Sequence, residues 1–182
     1  MLPGNPNNKK LAVGWFSFTC CEDSTILFTE LLNYHLDEWK KVVEFRHLKA
    51  LKTNNSLENL DVAFVEGAIS SQKQIDDVRK IRENAKYVVA IGACAVTGMP
   101  SASRNDFKDE QINERIQWYL SHFDYSKKVL KLDEVIKVDD WVDGCPMNVP
   151  LFLETLNKYL KLLTVQVAIL YNIAIGRELG KI

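Results

Sequence analysis

Residues 87–94 read YVVAIGAC, an apolar run that ends in a glycine, an alanine and a cysteine. A short run with apolar side chains on both faces is typical of a strand in the interior of a parallel sheet. Residues 11–19 (LAVGWFSFT) show the same pattern and stop at two adjacent cysteines. We expect further short strands at residues 42–45 and 62–65, and a weaker strand near residues 135–138.

Amphipathic segments separate the predicted strands. Leu27, Leu31 and Tyr34 recur at helical spacing, and Ser24 is a good N-cap, so we expect a helix from Ser24 to about Trp39. Strands that alternate with helices imply βαβ units, and therefore an open parallel α/β sheet with helices on both faces. Four more helices are predicted. One is capped by Ser70 or Ser71 and has Ile75, Val78 and Ile81 facing inward, and another runs from about Lys108 with Ile112, Ile116 and Leu120 facing inward. The last two are at residues 149–163 and 167–175.

The length and composition fit one globular domain. The chain has 182 residues, of which 47% are hydrophobic and 26% charged, and these fractions exclude a disordered or fibrous protein. We expect a polar leader at residues 1–10 and one α/β domain at residues 11–163. A C-terminal helix at residues 164–182 is expected to dock on this domain or on a partner.

The charge and hydropathy of the chain indicate which binding partners and which cell compartment to expect. Lysine and arginine number 23 against 24 aspartates and glutamates, so there is no basic excess for nucleic-acid binding. The start of the chain lacks the apolar core of a signal peptide, and the apolar stretch at residues 165–175 is too short for a transmembrane segment. We therefore expect a cytoplasmic protein, in which thiols stay reduced.

The four cysteines are placed to meet at one edge of the predicted sheet. Cys20 and Cys21 follow the first strand, Cys94 follows the run at residues 87–91, and Cys145 lies in a Gly-Cys-Pro turn. Ligand sites of open parallel sheets lie at the carboxyl ends of the strands. The cysteines are too widely spaced for a local zinc ribbon, but their spacing is natural if separate loops converge above the sheet.

Four converging thiolates suit a tetrahedral metal or an iron–sulfur cluster. The adjacent Cys20 and Cys21 can both serve only if the chain turns there, which a cubane with four iron atoms tolerates better than a single zinc ion. Four unrelated buried cysteines remain an alternative. A redox-active pair is less favoured, because a disulfide between neighbours is strained and the C-x-x-C spacing is absent.

Four motifs occur in order along the chain: Cys20-Cys21, residues 64–69 (FVEGAI), residues 90–95 (AIGACA) followed by Gly98, and residues 144–146 (GCP). Together they resemble the small, electron-transferring subunit of nickel–iron hydrogenases and its relative, the B-type subunit of complex I. The resemblance implies a flavodoxin-like domain that holds one proximal 4Fe–4S cluster through Cys20, Cys21, Cys94 and Cys145. It also implies that the nickel–iron centre lies in a partner large subunit.

The two branches of this resemblance differ at particular residues. The hydrogenase form usually begins with C-x-x-C, but Phe18 and Ser17 stand where that first cysteine would be, and the adjacent pair looks like the complex I subunit. Residues 64–69, 101–105 (SASRN) and 144–148 (GCPMN) look like cytosolic, cofactor-coupled hydrogenases, which we favour. A complex I-type subunit would pass electrons from its cluster to quinone and needs a membrane-facing segment, for which we find no convincing candidate. A non-redox flavodoxin-like metal-binding module is the third hypothesis.

The resemblance also implies a role for the chain and for its charged residues. The chain would relay electrons between the large-subunit site, where hydrogen is oxidised or protons are reduced, and further iron–sulfur or flavin subunits. Glu66, Glu22 and Asp23 flank the predicted ligand loops and are candidates for tuning the cluster potential or carrying protons. Arg104 is a candidate for a hydrogen bond to a cluster sulfur or for a salt bridge. The three histidines, His35, His47 and His122, are expected to be structural.

Overall fold

The structure, a computed structural model, describes residues 9–163 and is built around a five-stranded sheet beside a two-stranded one. In chain order the strands are β1 (Leu11–Ser17), β2 (Val43–Leu48), β3 (Leu60–Glu66), β4 (Ile69–Ser71), β5 (Ala85–Ile91), β6 (Tyr125–Leu130) and β7 (Asp140–Val142). The helices are α1 (Asp23–Val42), α2 (Gln72–Asn84), α3 (Gly92–Thr97), α4 (Glu114–His122) and α5, which covers residues 149–163. Short 3₁₀ helices lie at Ser101–Asp106, Asp109–Gln111 and Leu132–Glu134.

The main sheet is parallel throughout, with the spatial order β2-β1-β3-β5-β7. The chain moves from β1 to β2 on one side, then crosses to β3 on the other side of β1 and continues outward. This is the flavodoxin-like order, in which the direction of winding reverses between β1 and β3. The predicted fold class is confirmed.

Helices cover both faces of the sheet, which explains why its inner strands are apolar at nearly every position. All seven residues of β3 are buried. Val62 and Phe64 belong to the core cluster under α1 and α5, whereas Ala63 and Val65 belong to the cluster under α2. The helices contribute Phe28, Leu32, Trp39, Phe152, Leu156 and Tyr159 to the first cluster, and Val78 and Ile81 to the second.

The weak strand predicted near residues 135–138 is wrong. Ile136 and Val138 are buried in the cluster under α2 from an irregular segment, so their apolar character reflects core packing rather than sheet pairing. Pairing with β5 begins two residues later, at Asp140, which is opposite Val89. The carboxylate of Asp139 accepts a hydrogen bond from the amide of Val88 at 2.8 Å and fixes where the last strand joins the sheet.

The helix predicted from about Lys108 begins later. Asn113 caps α4 by accepting a hydrogen bond from the amide of Ile116 at 3.0 Å. The residues expected to face inward, Ile112, Ile116 and Leu120, are only half-buried. The antiparallel pair of β4 and β6 was not predicted at all, because β4 is three residues long and β6 is mostly exposed.

The remaining predicted helices have different outcomes. The predicted helices at α2 and α5 are confirmed, and Ser71 caps α2 as expected. Most of the predicted leader and the helix predicted at residues 167–175 lie outside the described residues. None of the helices in the described part of the chain is both long and apolar enough to cross a membrane.

His47 is packed inside the protein on β2, as its structural role predicts. It is 7% exposed and stacks on Phe16 with 4.2 Å between the ring centroids. Its Nδ1 lies 2.9 Å from the carbonyl oxygen of Trp15. Burial lowers the pKa of His47, and the cations of Lys49 and Lys52 lower it further against the opposing effect of the Trp15 carbonyl.

We expect this histidine to make the protein less stable in mild acid. An unfolded histidine has a pKa of about 6.5, so the unfolded chain binds the proton more readily than the folded one. The free energy of unfolding should therefore fall as the pH drops from about 7.5 to about 5.5. His47→Asn should flatten this pH dependence in denaturant titrations. An unchanged slope in His47→Asn would contradict this prediction.

Candidate metal centre

All four cysteines line one small pocket at the carboxyl ends of the parallel strands. Cys20 and Cys21 lie between β1 and α1, Cys94 lies in α3 directly after β5, and Cys145 lies in the turn after β7. The carboxyl end of β3 also reaches this pocket through Glu66. Separate loops therefore bring these residues together around one pocket. Their role as ligands is a separate question.

The loops that carry the cysteines are hydrogen-bonded to one another. The amide of Ala93, at the start of α3, donates to the carbonyl of Gly144 at 2.7 Å. The amide of Met147 donates to the hydroxyl of Ser24 at 3.2 Å. Gly92 has a φ of 76°, and a Cβ built on it would lie 2.9 Å from that same hydroxyl oxygen. The small residues in this region thus let the loops approach each other closely.

Ser24 does not cap α1, which corrects the sequence-based prediction. The N-cap position is Glu22, which is left-handed (φ 63°) and makes no side-chain capping bond. Ser24 is 3% exposed and joins α1 to the turn that carries Cys145. A serine in the first turn of a helix and a serine at its cap give nearly the same sequence pattern, so only the three-dimensional contact separates them.

The carboxylate of Glu66 binds the first turn of α1 instead. It is 3% exposed, and its two oxygens accept hydrogen bonds from the amides of Ser24 and Thr25, both at 3.1 Å. The hydroxyl of Thr25 donates a further bond to it at 2.5 Å. Buried carboxylates need such donors, because an unpaired buried charge is costly.

The four thiols differ in burial and in hydrogen bonding. Cys94 is buried, Cys20 is half-buried, and Cys21 and Cys145 are exposed. The amide of Glu22 donates to Cys20 Sγ at 3.4 Å, and the Cys94 Sγ lies 3.3 Å from the hydroxyl of Ser101. Hydrogen bonds to sulfur are among the contacts that tune thiolate-bound clusters.

Burial disfavours the thiolate form of Cys20. The pKa of Cys20 is raised to about 12, mainly by desolvation and in part by the charge of Glu66, against the lowering effect of the hydrogen bond with Ser17. For Cys21, the amide of Asp23 lowers the pKa, but the Asp23 carboxylate and burial outweigh it and the net shift is upward. Burial and nearby carboxylates therefore disfavour the thiolate form of both cysteines.

Of the charged residues predicted near the cysteines, the carboxylates lie at or near the pocket and the arginine does not. Glu66 and Asp23 line the pocket, and the Glu22 carboxylate lies beside it, 3.2 Å from the Ser17 hydroxyl that donates to it. Arg104 does not line the pocket. Its guanidinium donates to the carbonyl of Ser126 at 2.8 Å, so it holds the 3₁₀ segment against β6 rather than meeting a sulfur.

Sequence reasoning missed three hydroxyl residues around the pocket. Ser17 and Ser101 each contact a cysteine sulfur, and Thr25 contacts Glu66. Ser17 ends a strand and Ser101 begins a short 3₁₀ helix, so no periodicity marks either residue. Thr25 follows the expected cap and carried no separate signal.

Four thiols line the pocket, and four thiolates are the donor set that a 4Fe–4S cluster uses. Within residues 9–163, no group of three or more histidine, cysteine, aspartate or glutamate side chains is placed to hold one metal ion. All four cysteines are free thiols around the same pocket. A cubane accepts one thiolate at each of four separate iron atoms, so its ligands are more widely spread than those of a lone zinc ion. The residues present therefore fit a 4Fe–4S cluster.

Comparison with known proteins finds one matching family and several similar proteins. Residues 20–159 match the family described as the 20 kDa subunit of NADH ubiquinone oxidoreductase. The chain is similar to the delta subunit of the NAD-reducing hydrogenase HoxS from Cupriavidus necator, with 26% identity over 75% of this chain and 72% of that protein. It is also similar to the delta subunit of sulfhydrogenase 2 from Pyrococcus furiosus, with 27% identity over 76% of this chain and 57% of that protein.

A solved structure extends the comparison to the fold. In a crystal structure of an NAD⁺-reducing [NiFe]-hydrogenase in the H2-reduced state, one chain superposes with a TM-score of 0.70 at 23% identity. The superposition covers 84% of this chain and 92% of that chain. The agreement over nearly the whole length of both chains supports the assigned fold.

The contact between Gly92 and Ser24 gives a prediction about how the loops pack. Gly92→Ala should destabilise the protein by about 1–2 kcal/mol from the positive φ alone, with an added clash against the Ser24 hydroxyl. Ser24→Ala should cost about 1–3 kcal/mol because it leaves the amide of Met147 unpaired. The double variant should cost less than the sum of the single variants by about 0.5 kcal/mol or more, because Ser24→Ala removes the clashing atom.

Urea unfolding of the four proteins measures this coupling. Gly98→Ala is the matched control, because Gly98 has a similar φ of 84° and lies beside Ala102 rather than Ser24. When Gly98→Ala is combined with Ser24→Ala, the two losses in free energy of unfolding should be additive. Strict additivity in the Gly92 pair would mean that the two loops do not constrain each other.

Proposed function

The chain belongs to the family of the 20 kDa subunit of NADH ubiquinone oxidoreductase. From this membership together with its similarity to hydrogenase subunits, we propose that it is the electron-transfer subunit of a nickel–iron hydrogenase. The relatives described above are named as hydrogenase subunits, and the fold is shared with a chain of a [NiFe]-hydrogenase structure. The observation that carries the proposal is the convergence of four free thiols on one pocket at the carboxyl ends of the sheet. We also propose that the protein is cytoplasmic, a compartment in which thiols stay reduced.

We propose that Cys20, Cys21, Cys94 and Cys145 hold one 4Fe–4S cluster. When bound, such a cluster supplies reversible one-electron transfer. The hydroxyl of Ser101 and the amide of Glu22 lie within hydrogen-bonding distance of two of the sulfurs and would stabilise their thiolates. All four cysteines of the chain are used by this one site, so the nickel–iron centre belongs in a partner large subunit.

The exposed side of the pocket is where we place that partner. Cys21 and Cys145 are exposed, so half of the ligand set faces outward from this chain. A subunit that covers them would exclude water and shorten the path for electrons. The buried Cys94 side would then face the body of the sheet, and the chain would pass electrons between the large subunit and further iron–sulfur or flavin subunits.

The carboxylates around the pocket have proposed roles as well. Glu66, Glu22 and Asp23 would make the site more negative, and negative charge near a cluster lowers its reduction potential. Proton transfer by these residues remains part of the proposal. Glu66 has both oxygens occupied by three donors, so it is better placed to hold its neighbours than to exchange protons freely.

One observation favours a second candidate function. Cys20 and Cys21 are adjacent, as in the complex I-type subunit, and the matching family is described by that complex. In this alternative the same cluster would pass electrons to a quinone. Assays for nickel and for quinone reduction separate the two candidates.

Iron content tests the ligand set. The protein purified without oxygen should contain about four irons and four sulfides and give a reducible paramagnetic signal. Cys94→Ser and Cys145→Ser should each lose most of the iron and lower the melting temperature of the loaded protein, because ligand binding contributes to folding. Ser103→Ala, on the exposed 3₁₀ segment, should retain the iron and serves as a control. Wild-type iron in both cysteine variants would refute the ligand assignment.

Partner capture tests the hydrogenase assignment. An affinity-tagged chain purified anaerobically from its own host should bring down a larger subunit that contains nickel, and the complex should reduce a dye with hydrogen as the electron donor. Metal analysis and the dye assay measure both properties. A complex without nickel that reduces quinone would support the complex I-type alternative instead, and a chain that binds neither iron nor a redox partner would overturn both.

A further inference from the structure

We propose that the Glu66-Gly67-Ala68 segment at the end of β3 is a clamp that positions the cysteine loop, and that Glu66 is its central positioning residue. The cysteine loop is defined here as residues 18–25, which lead from the end of β1 into the first turn of α1. The segment binds this loop on both sides of Cys20 and Cys21. The inference deepens the proposed function, since its importance rests on these two thiols being cluster ligands.

Backbone hydrogen bonds fasten the upstream side of the loop. The amide of Phe18 donates to the carbonyl of Glu66 at 2.9 Å. Thr19 and Ala68 then exchange two bonds, at 3.0 Å from the Thr19 amide and 2.9 Å from the Ala68 amide. The chain just before Cys20 is therefore held by the same residues that end β3.

Gly67 permits the close approach that these bonds require. Its φ is +95°, a conformation that other residues rarely adopt. A Cβ at this position would lie 2.9 Å from the carbonyl carbon of Phe18 and from the amide nitrogen of Thr19. Any side chain would therefore push the cysteine loop away from β3.

The Glu66 carboxylate fastens the downstream side. It binds the amides of Ser24 and Thr25 and the hydroxyl of Thr25, so it takes the place of an N-cap side chain although it lies 42 residues away from Ser24 in the chain. A negative charge at the start of a helix is also favourable with the helix dipole. Glu22, at the N-cap position itself, makes no such bond.

Thr25 connects the clamp to the aromatic core. Its hydroxyl oxygen accepts a hydrogen bond from the indole nitrogen of Trp15 at 2.8 Å. Trp15 stacks on Phe28 of α1 with 4.2 Å between ring centroids and lies 5.9 Å from the ring of Phe152. The downstream end of the loop is thus anchored to β1, α1 and α5 at once, and only residues 20–23 lie between the two fixed ends.

The chemistry requires a carboxylate at this position. All three donors point at two acceptor oxygens, and a glutamine offers one acceptor and one donor group. In Glu66→Gln at least one amide of the first turn loses its partner. Because hydrogen bonds to charged groups are the stronger class, the local opening of this turn should become about tenfold more frequent or greater.

A matched control lies on the same strand. Asp61 is a second buried carboxylate of β3, 5% exposed, and it accepts a hydrogen bond from the amide of Ala12 at 3.0 Å and forms an ion pair with Lys86 at 2.6 Å. It lies at the opposite end of the strand from the cysteines. Asp61→Asn therefore removes a comparable buried charge without touching the cysteine loop.

The decisive experiment uses the full chain without iron, so that its outcome is independent of cluster binding. Amide hydrogen exchange and thiol alkylation, both followed by mass spectrometry, should show faster exchange at Ser24 and Thr25 and about tenfold faster alkylation of Cys20 in Glu66→Gln. The rates for Cys94 should stay near wild type. Asp61→Asn should leave the alkylation rate of Cys20 unchanged, even where this variant lowers the melting temperature as much as Glu66→Gln does.

Two further measurements complete the test. If Glu66→Gln does not fold, Thr25→Val should give a smaller change in the same direction, and Thr25→Ser, which keeps the hydroxyl, should restore the wild-type rates. In iron-loaded protein, Glu66→Gln should alter the paramagnetic signal or the midpoint potential, whereas Asp61→Asn should not. Unchanged Cys20 alkylation in Glu66→Gln, or equal acceleration in Asp61→Asn, would overturn the clamp. A protein that binds no iron yet shows the alkylation effect would keep the clamp and refute the proposed function.

Discussion

Parallel pairing of β1, β3, β5 and β7 is the constraint on which the rest of the structure depends. Because all four strands run in one direction, all their carboxyl ends lie at one edge, and whatever residues follow them must share that edge. Cysteines far apart in sequence, at positions 21, 94 and 145, line one pocket for this reason alone. No local motif is needed to gather them. The pairing also buries every residue of β3, including Glu66, the polar side chain at the pocket end of the strand.

The loops that converge on this edge have left the sheet, so their backbone N–H and C=O groups need hydrogen-bond partners outside it. The structure meets this need by bonding the loops to one another. Ala93 bonds to Gly144, Met147 to Ser24, and Thr19 to Ala68, so each cysteine-bearing loop is held by at least one other loop or strand end. The pocket is therefore formed by several chain segments that are hydrogen-bonded to one another.

The sequence was sufficient for the fold but only partly for the site. Buried parallel strands give continuous apolar runs, so β1, β3 and β5 could be recognised directly, and the four cysteines could be placed on the edge that follows. Residues 135–138 were misread, because Ile136 and Val138 fill the core without pairing. Ser24 was misread because its partner, Met147, is distant in sequence. The donors of Glu66 could not be predicted for the same reason: hydrogen bonds between strand ends leave no periodic signature.

The uneven burial of the thiols links the geometry to a role in electron transfer. An isolated metal-binding domain gains most by enclosing all of its ligands, yet here Cys94 is buried whereas Cys21 and Cys145 are exposed. In the proposed function, a partner subunit would cover the exposed side and keep water and oxidants away from the cluster. A cluster at that boundary would also shorten the path for electrons to a redox centre in the partner. In the proposed function, the fixed cysteine loop would hold Cys20 and Cys21 in place before a partner subunit covers the exposed side of the pocket.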